Sequence, residues 1–416
     1  MATLRPFRAL RPSPAKAAQV AAVPYDVVNT EEARALAAGN PLSFLRVSRP
    51  EIDLPEGTDP YSDAVYRKAG EAFERLRREA PYLREESESL YVYRLRMGEH
   101  EQTGVAGCAS LDEYDSDVVR KHERTRKEKE DDRTRHMVTL QAQTGPVFLT
   151  YRGRAAIDET VARVQQEAPL YDLTAEDGVS HKVWRVAGEA AGRLAEEFRP
   201  VPLFYIADGH HRAASASRAR HQISGKTPRR TGEEDFNFFL SVLFPAAQVR
   251  ILPYNRTVRD LNGRTPEQFL SALKEKFSVS EDAPASPRRK GEIALRLDGR
   301  WLGLLLPPGG TATTDPITTL DVSVLQERVL EPLLGIRDVR TDKRIDFVGG
   351  IRGTQELERL VQSGKAAAAF SMFPVSLEEL MAISDAGQIM PPKSTWFEPK
   401  LRDGLLIHEI APRAAA

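Results

Sequence analysis

The 416-residue sequence contains one cysteine, Cys108, so no intramolecular disulfide and no zinc site built on paired thiolates can form. Long apolar runs are also missing. The run at 366–370 falls far short of the roughly 20 residues needed to cross a bilayer, so no membrane partner is expected. The opening Met1-Ala2-Thr3-Leu4-Arg5-Pro6 has no apolar stretch before a small-residue cleavage site, which predicts a cytoplasmic protein without a signal peptide. Neither sign of charge is in excess. With 59 Lys and Arg against 60 Asp and Glu, the net charge of −1 argues against a general affinity for nucleic acid, and any anion binding must be local. Gly-x-Gly-x-x-Gly, His-Glu-x-x-His and Gly-x-Ser-x-Gly are all absent, which removes the usual support for dinucleotide, zincin and hydrolase-elbow readings.

What is present reads as a mixture of strands and helices without an internal repeat. Short stretches at 7–10, 20–25 and 44–47 read as strands and turns among prolines, and Asn29 or Thr30 caps a helix start. Residues 61–79 form a charged amphipathic helix, and 90–97 with 104–111 a hairpin. Apolar strands are expected at 146–151 and 202–207, a strand or short helix at 236–244, and helices at 157–167, 181–198 and 213–224, the last closed by Gly225. Past polar linkers at 226–234 and 282–291, strands 292–298 and 301–306 turn at Asp298-Gly299. Helices 321–334, 354–363 and 376–388 then alternate with a strand at 366–372. The fold class expected is α/β or α+β, with a mixed sheet spread over several lobes. Three are expected: 1–150 with a polar helix at 120–136, 151–280 with the Asp-Gly-His-His-Arg turn, and 281–416 with a Lys-Ser-Thr loop.

Three segments carry chemistry. The first is Ala207-Asp208-Gly209-His210-His211-Arg212, a strand that ends in Asp-Gly and opens a helix. Such a turn points free N–H groups and the positive end of the helix dipole at whatever lies in front, which makes an anion site. Arg212 can add a bidentate contact to phosphate, and His210 and His211 can donate or shuttle protons. The alternative is that Asp208 merely caps the helix and the histidines are satisfied turn residues.

The second segment is the block 120–136, 17 residues without one apolar side chain, eight of them Lys or Arg and five Asp or Glu. At helical spacing His122, Arg126, Lys129, Arg133 and His136 share a face that could line a phosphate cleft, with Arg120 and Lys121 leading into it. The alternative is a solvated helix laced with pairs such as Glu123–Lys127 and Asp131–Arg135. The third is Pro391-Pro392-Lys393-Ser394-Thr395-Trp396. It lacks the second glycine of a P-loop, so it is no Walker site, but it holds Lys393 and two hydroxyls on a proline-fixed loop.

In this order, the three segments resemble the domain-of-unknown-function family 1015 (DUF1015). The likeness extends to Pro6-Phe7-Arg8-Ala9, Pro24-Tyr25-Asp26-Val27, Asn40-Pro41-Leu42-Ser43-Phe44-Leu45-Arg46-Val47, Arg120-Lys121-His122-Glu123, Tyr254-Asn255-Arg256, Asp346-Phe347-Val348-Gly349-Gly350 and 392–400. The Asp-Gly-His-His-Arg segment is in turn similar to the phosphate-binding strand–loop–helix of the ParB/sulfiredoxin-like superfamily. That superfamily includes kinases of free L-serine. The resemblance implies a phosphotransferase that converts L-serine to O-phospho-L-serine with pyrophosphate or a nucleotide as donor. A ParB-like regulator acting on DNA is the alternative. A sulfiredoxin is not implied, because Cys108 stands in Gly107-Cys108-Ala109, away from the His-Arg turn.

On that reading Gly209, His211, Arg212, Arg120, Lys121, Arg133 and Lys393 hold phosphate, and Asp26, Ser394, Thr395 and Trp396 meet the acceptor. His122, His210 and Asp208 take part in catalysis. The alcohol needs a base to accept its proton, and Glu123 has the required charge, with Asp26 and Asp208 in reserve. Mg²⁺ held at Asp208 is expected only because phosphoryl transfer usually needs a hard cation.

Overall fold

The computed structural model describes residues 1–225, 231–305 and 315–411. The chain divides into two compact units where three consecutive lobes are expected from the sequence. One comprises Met1–Lys121, Thr125–Val249 and Pro399–Ala416; the other His122–Arg124 and Arg250–Glu398. Both are discontinuous in sequence, which no composition shift along the chain announces.

The first unit is built on nine strands: β1 (Leu4–Arg5), β2 (Ser89–Met97), β3 (His100–Ser110), β4 (Val119–Arg120), β5 (Val147–Tyr151), β6 (Tyr171–Thr174), β7 (Ser180–Ala187), β8 (Phe204–Asp208) and β9 (Phe238–Pro245). They form one sheet in the order β4-β8-β5-β9-β3-β2-β7-β6, with β1 beside β3. Pairing is parallel at β4–β8 and β5–β9 and antiparallel elsewhere, so the sheet is mixed as expected. Strands buried on both faces read as near-continuous apolar runs, broken only by Thr150 in Val-Phe-Leu-Thr-Tyr of β5 and unbroken in Phe-Tyr-Ile-Ala of β8. Helices α1 (Thr30–Leu36), α2 (Asp63–Glu79), α3 (Lys127–Leu140), α4 (Ala155–Val164), α5 (Gly188–Phe198) and α6 (His210–Ser224) belong to this unit. A core of Leu90, Val92, Val105, Leu149, Leu194, Phe204, Ile206, Ala213 and Phe239 ties α5 and α6 to the sheet.

Local chemistry explains the boundaries. Asn29 caps α1 with a full capping box to Glu32, as its position predicts. The helix expected over 181–198 is half strand. His181 and Val183 are buried on one face of β7 and Trp184 and Val186 on the other, and Gly188, at φ +60°, opens α5 directly after it. The stretch at 44–47 is not a strand either, since a short helix occupies Leu45–Ser48, whereas 20–25 runs from the end of the helix Ala17–Val20 through an isolated bridge at Ala22 into a turn at Tyr25. Gly225 ends α6 as expected, although in right-handed conformation; of the linker expected at 226–234, residues 226–230 lie outside the described residues.

The second unit has a six-stranded, wholly antiparallel sheet. Its strands are β10 (Tyr254–Val258), β11 (Ser278–Glu281), β12 (Glu292–Leu297), β13 (Arg300–Leu305), β14 (Ile345–Gly349) and β15 (Ala368–Met372), in the order β11-β13-β12-β15-β10-β14. The β12–β13 hairpin turns at Asp298 and Gly299, both with positive φ, as the Asp-Gly pair predicts; residue 306 of the expected second strand lies outside the described residues. Helices α7 (Pro266–Lys274), α8 (Asp321–Leu325), α9 (Gly353–Gln362) and α10 (Leu377–Asp385) complete it. The single helix expected at 321–334 is shorter, because α8 passes into a π-helical turn at Gln326–Leu330. Among the described residues, no helix is long and apolar enough to cross a membrane.

Candidate anion site

β8 runs buried as far as Ala207 and slips register against β5 between Ile206 and Asp208, which re-aims the strand end. Gly209 follows at φ +97°, a left-handed conformation that costs other residues about 1–2 kcal/mol, and α6 begins at once. The carbonyl of Gly209 accepts the first helical bond, from the N–H of Ala213 at 3.0 Å. Small residues let α6 lie close to α3, and the Ser215 hydroxyl donates to the carbonyl of Glu130 at 3.2 Å.

Arg212 is 5% exposed and lies back against Gly209, with Nε 3.1 Å from where a Cβ would stand. One guanidinium nitrogen donates to the carbonyl of Pro146, while Nε is buried with no hydrogen-bond partner. Burial works against its charge, but Asp26, Asp208, Asp403 and Tyr25 outweigh it and raise its pKa. Asp208 Oδ2 sits 3.1 Å from Lys400 Nζ and 3.7 Å from Arg212. Burial disfavours that carboxylate's charge, yet Lys400, Arg212 and His210 hold its pKa far below the ordinary value.

A second arginine faces the same charges. Arg133 of α3 is buried, pairs with Asp132 at 2.8 Å and stacks 4.1 Å from the centre of the Tyr25 ring. Asp132 also accepts the Tyr66 hydroxyl at 2.9 Å, and His136 lies 2.8 Å from the Val47 carbonyl. Burial first, and then Arg133, depress His136 to about 4. Asp26 is exposed at the next position after buried Tyr25. Asp403, 3% exposed, is pushed up to about 7 by burial, with Arg212 opposing and Asp26 adding to the rise.

The structure therefore gathers Tyr25, Asp26, Arg133, Asp208, Gly209, His210 and Arg212 in one unit. It adds Lys400 and Asp403, which the sequence reading did not single out. Lys400 stood inside a segment of family likeness without a pattern to mark it. Asp403, in an isolated Arg402-Asp403-Gly404, carried no signal beyond a possible turn. His211 does not act as an Nε2 donor here, because that nitrogen accepts the Arg126 N–H at 3.0 Å. Arg120 sits in β4, in register with Tyr205 of β8, and its Nε is buried without a hydrogen-bond partner. Lys121 is engaged elsewhere, donating to Asp117 and to the Tyr114 carbonyl, both at 2.6 Å.

The cationic stripe expected over 120–136 does not exist as one helical face, because α3 starts only at Lys127. His122–Arg124 belong to the second unit, where the buried His122 accepts the Met390 N–H on its carbonyl at 2.8 Å and Glu123 is half-buried. Within α3 the ion pairs also differ from those expected: Lys127 meets Asp131 at 2.9 Å, Arg135 meets Asp63, and Arg218 of α6 meets Glu130 and Asp131.

The Lys-Ser-Thr loop likewise lies in the second unit. Lys393 has φ +60°, its ammonium is 5.5 Å from the Tyr254 ring centre, and Ser394 donates to the Pro391 carbonyl at 2.6 Å. Thr395 leads into Trp396, whose indole N–H donates to Glu398 at 2.9 Å and whose ring meets Tyr254 edge-on at 5.3 Å. Beneath the loop Arg256 is buried, with hydrogen bonds to the carbonyls of Tyr254 and Lys393. Burial pulls its pKa down to about 10.

The expected Mg²⁺ does not fit Asp208 in this arrangement, since Lys400 and Arg212 already neutralise that carboxylate. Among the described residues, no cluster of three or more His, Cys, Asp or Glu side chains could hold a metal ion.

Fold and site together describe a mixed α/β protein with a strand–glycine–helix turn backed by buried arginines, a candidate anion site. The chain belongs to the family described as protein of unknown function (DUF1015), whose model matches residues 4–323. No curated protein matches. Among solved structures it is similar to a free serine kinase in complex with AMP, at 14% identity and TM-score 0.36 over 72% of this chain and 91% of that one. A conserved hypothetical protein from Pyrococcus furiosus matches at 15% identity and TM-score 0.34, over 73% of this chain and 94% of that one. SbnI with a C-terminal truncation from Staphylococcus aureus matches at 10% identity and TM-score 0.38, over 72% and 85%. At such TM-scores the likeness bears on neither the reaction nor its residues.

Proposed function

We propose that this protein is a phosphotransferase that phosphorylates free L-serine, with pyrophosphate or a nucleotide as donor. The observation that carries the reading is the buried Arg212, one donor unused, lying over the left-handed Gly209 at the opening of α6. A phosphate there would meet helical N–H groups, the dipole and a guanidinium together. The resemblance of the Asp-Gly-His-His-Arg segment to the phosphate-binding segment of the ParB/sulfiredoxin-like superfamily, which includes kinases of free L-serine, supports the same reaction.

In that reaction the serine hydroxyl oxygen attacks the terminal phosphorus, the bridging P–O bond breaks, and the shortened donor leaves with the bond's electrons. The hydroxyl proton passes to a carboxylate. Asp208 is a poor base, since Lys400 and Arg212 hold it far down. Asp26 is exposed and close enough to Arg212 to raise its pKa, which favours it over Glu123 for the role. No step is assigned to a metal.

The test is incubation of the purified protein with L-serine and, separately, pyrophosphate, ATP or ADP, with phosphoserine read by mass. Phosphoserine with at least one donor is expected. Its absence with every donor, alongside salt-dependent binding to duplex DNA, would overturn the kinase reading in favour of a DNA-associated regulator.

A further inference from the structure

Three carboxylates, Asp26, Asp208 and Asp403, act on one buried guanidinium, that of Arg212. They are not equivalent. Asp208 has a cation of its own in Lys400, and Asp26 is exposed to water. Asp403 is 3% exposed, and its Oδ1 is buried with no hydrogen-bond partner. That oxygen lies so close to Gly145 that any Cβ there would collide with it, and the next residue, Pro146, gives its carbonyl to Arg212. The main chain fixes the carboxyl in place: Asp403 N–H donates to the Ala22 carbonyl at 2.9 Å, and Gly404 N–H donates to that of Thr144 at 3.0 Å.

We propose that Asp403 is a proton-linked positioning residue of the anion site, taking up a proton when a phosphate group reaches Arg212. The inference rests on the phosphate-binding reading of that site and adds its coupling to protons. A di- or trianion beside Arg212 takes over the guanidinium that now steadies the Asp403 carboxylate. The buried oxygen, left without a donor, accepts a proton from solution, and the resulting acid group can donate one hydrogen bond.

The groups around Asp403 favour this response. Arg212 of α6, Arg133 of α3 and Arg402 of its own segment stabilise the carboxylate, whereas Asp26 destabilises it. Tyr25 lies in the same field, raised by burial and by Asp26 and lowered by Arg133 and Arg212, and Tyr93 of β2, raised chiefly by burial, also feels Asp403. With burial the balance leaves the carboxyl near neutrality, at about 7, where loss of one cation tips it to the acid.

Calorimetric titration of the full chain with inorganic pyrophosphate at pH 7.5 is the test, run in two buffers of different ionisation enthalpy on wild type and Asp403→Asn. Pyrophosphate's own protons contribute equally to both proteins, so the difference reports Asp403. Wild type is expected to take up a substantial fraction of a proton more per ligand bound than the variant, whose amide imitates the protonated acid. Above about pH 7 wild-type affinity should fall up to tenfold per pH unit relative to Asp403→Asn. Equal uptake and parallel profiles would overturn the proposal while leaving the phosphate site intact. If neither protein binds pyrophosphate, both the site reading and the inference fall. Should Asp403→Asn not fold, Asp403→Ser serves the same comparison.

Discussion

At the scale of single residues, Arg212 is where sequence and structure meet: the Asp-Gly-His-His-Arg string marked it, and the fold buries it against Gly209. Arg212→Ala should weaken donor binding by about 1.5–3 kcal/mol, the range of a charge-assisted hydrogen bond, in an equilibrium titration of the folded variant. Asp26→Asn should lower turnover by roughly 10²–10⁴-fold without weakening donor binding, because a carboxylate beside an anion site does not help the anion. Normal turnover in Asp26→Asn together with loss in Glu123→Gln would move the base to Glu123. His136 adds a pH signature. Its folded pKa, about 4, lies below the ordinary 6.5, so the stability it contributes is present above 6.5 and lost as pH falls from there toward 4. His136→Gln, which can still donate to the Val47 carbonyl, should flatten the fall of the unfolding free energy across that window, by up to about 1.4 kcal/mol per pH unit, as read by denaturant titration at several pH values.

At the scale of elements, what could be read from sequence was what local chemistry decides. The Asp298-Gly299 hairpin, the Asn29 capping box and the apolar strand leading into Asp208 follow from turn residues, caps and runs. The failures share a cause. β7 carries His181, Lys182 and Arg185 among its apolar residues, and although β6 just before it forms a local hairpin, its place in the sheet is set by β2, distant in sequence. The polar block contains nothing to show that α3 buries Asp132, Arg133 and His136, because their burial depends on partners as remote as Tyr25, Val47 and Tyr66. Gly209 is the element-scale test, since left-handed φ and the nearness of Arg212 both exclude a side chain. Gly209→Ala should cost about 1–2 kcal/mol in denaturant unfolding and weaken anion binding by displacing Arg212. A variant as stable as wild type would show that the turn relaxes to another conformation.

At the scale of the whole molecule, the least legible feature is the return of the chain's last segment to the first unit. From composition, 281–416 looks like one lobe, and removing everything from 391 onward is then expected to leave the N-terminal lobe, 1–150, folded. The structure predicts otherwise. Leu401, Leu405, Leu406, Ile407 and Ile410 are buried, Leu10 N–H and Ile407 N–H exchange bonds with each other's carbonyls at 3.0 Å, and His408 and Glu409 pair with Gln143 and Ala142. At roughly 1.5–3 kcal/mol for each buried aliphatic side chain, their loss is comparable with the whole stability of an ordinary domain. Truncation after Glu398 should therefore unfold or severely destabilise the first unit, besides removing Lys400 and Asp403 from the anion site. Hydrogen exchange read by mass can check this directly. Protection in β5, β8 and β9 should fall throughout in the truncated chain, whereas the double variant Lys400→Ala/Asp403→Asn should keep that protection and change only anion binding. Undiminished protection after truncation would mean that the returning segment supplies charges to the site without holding up the sheet.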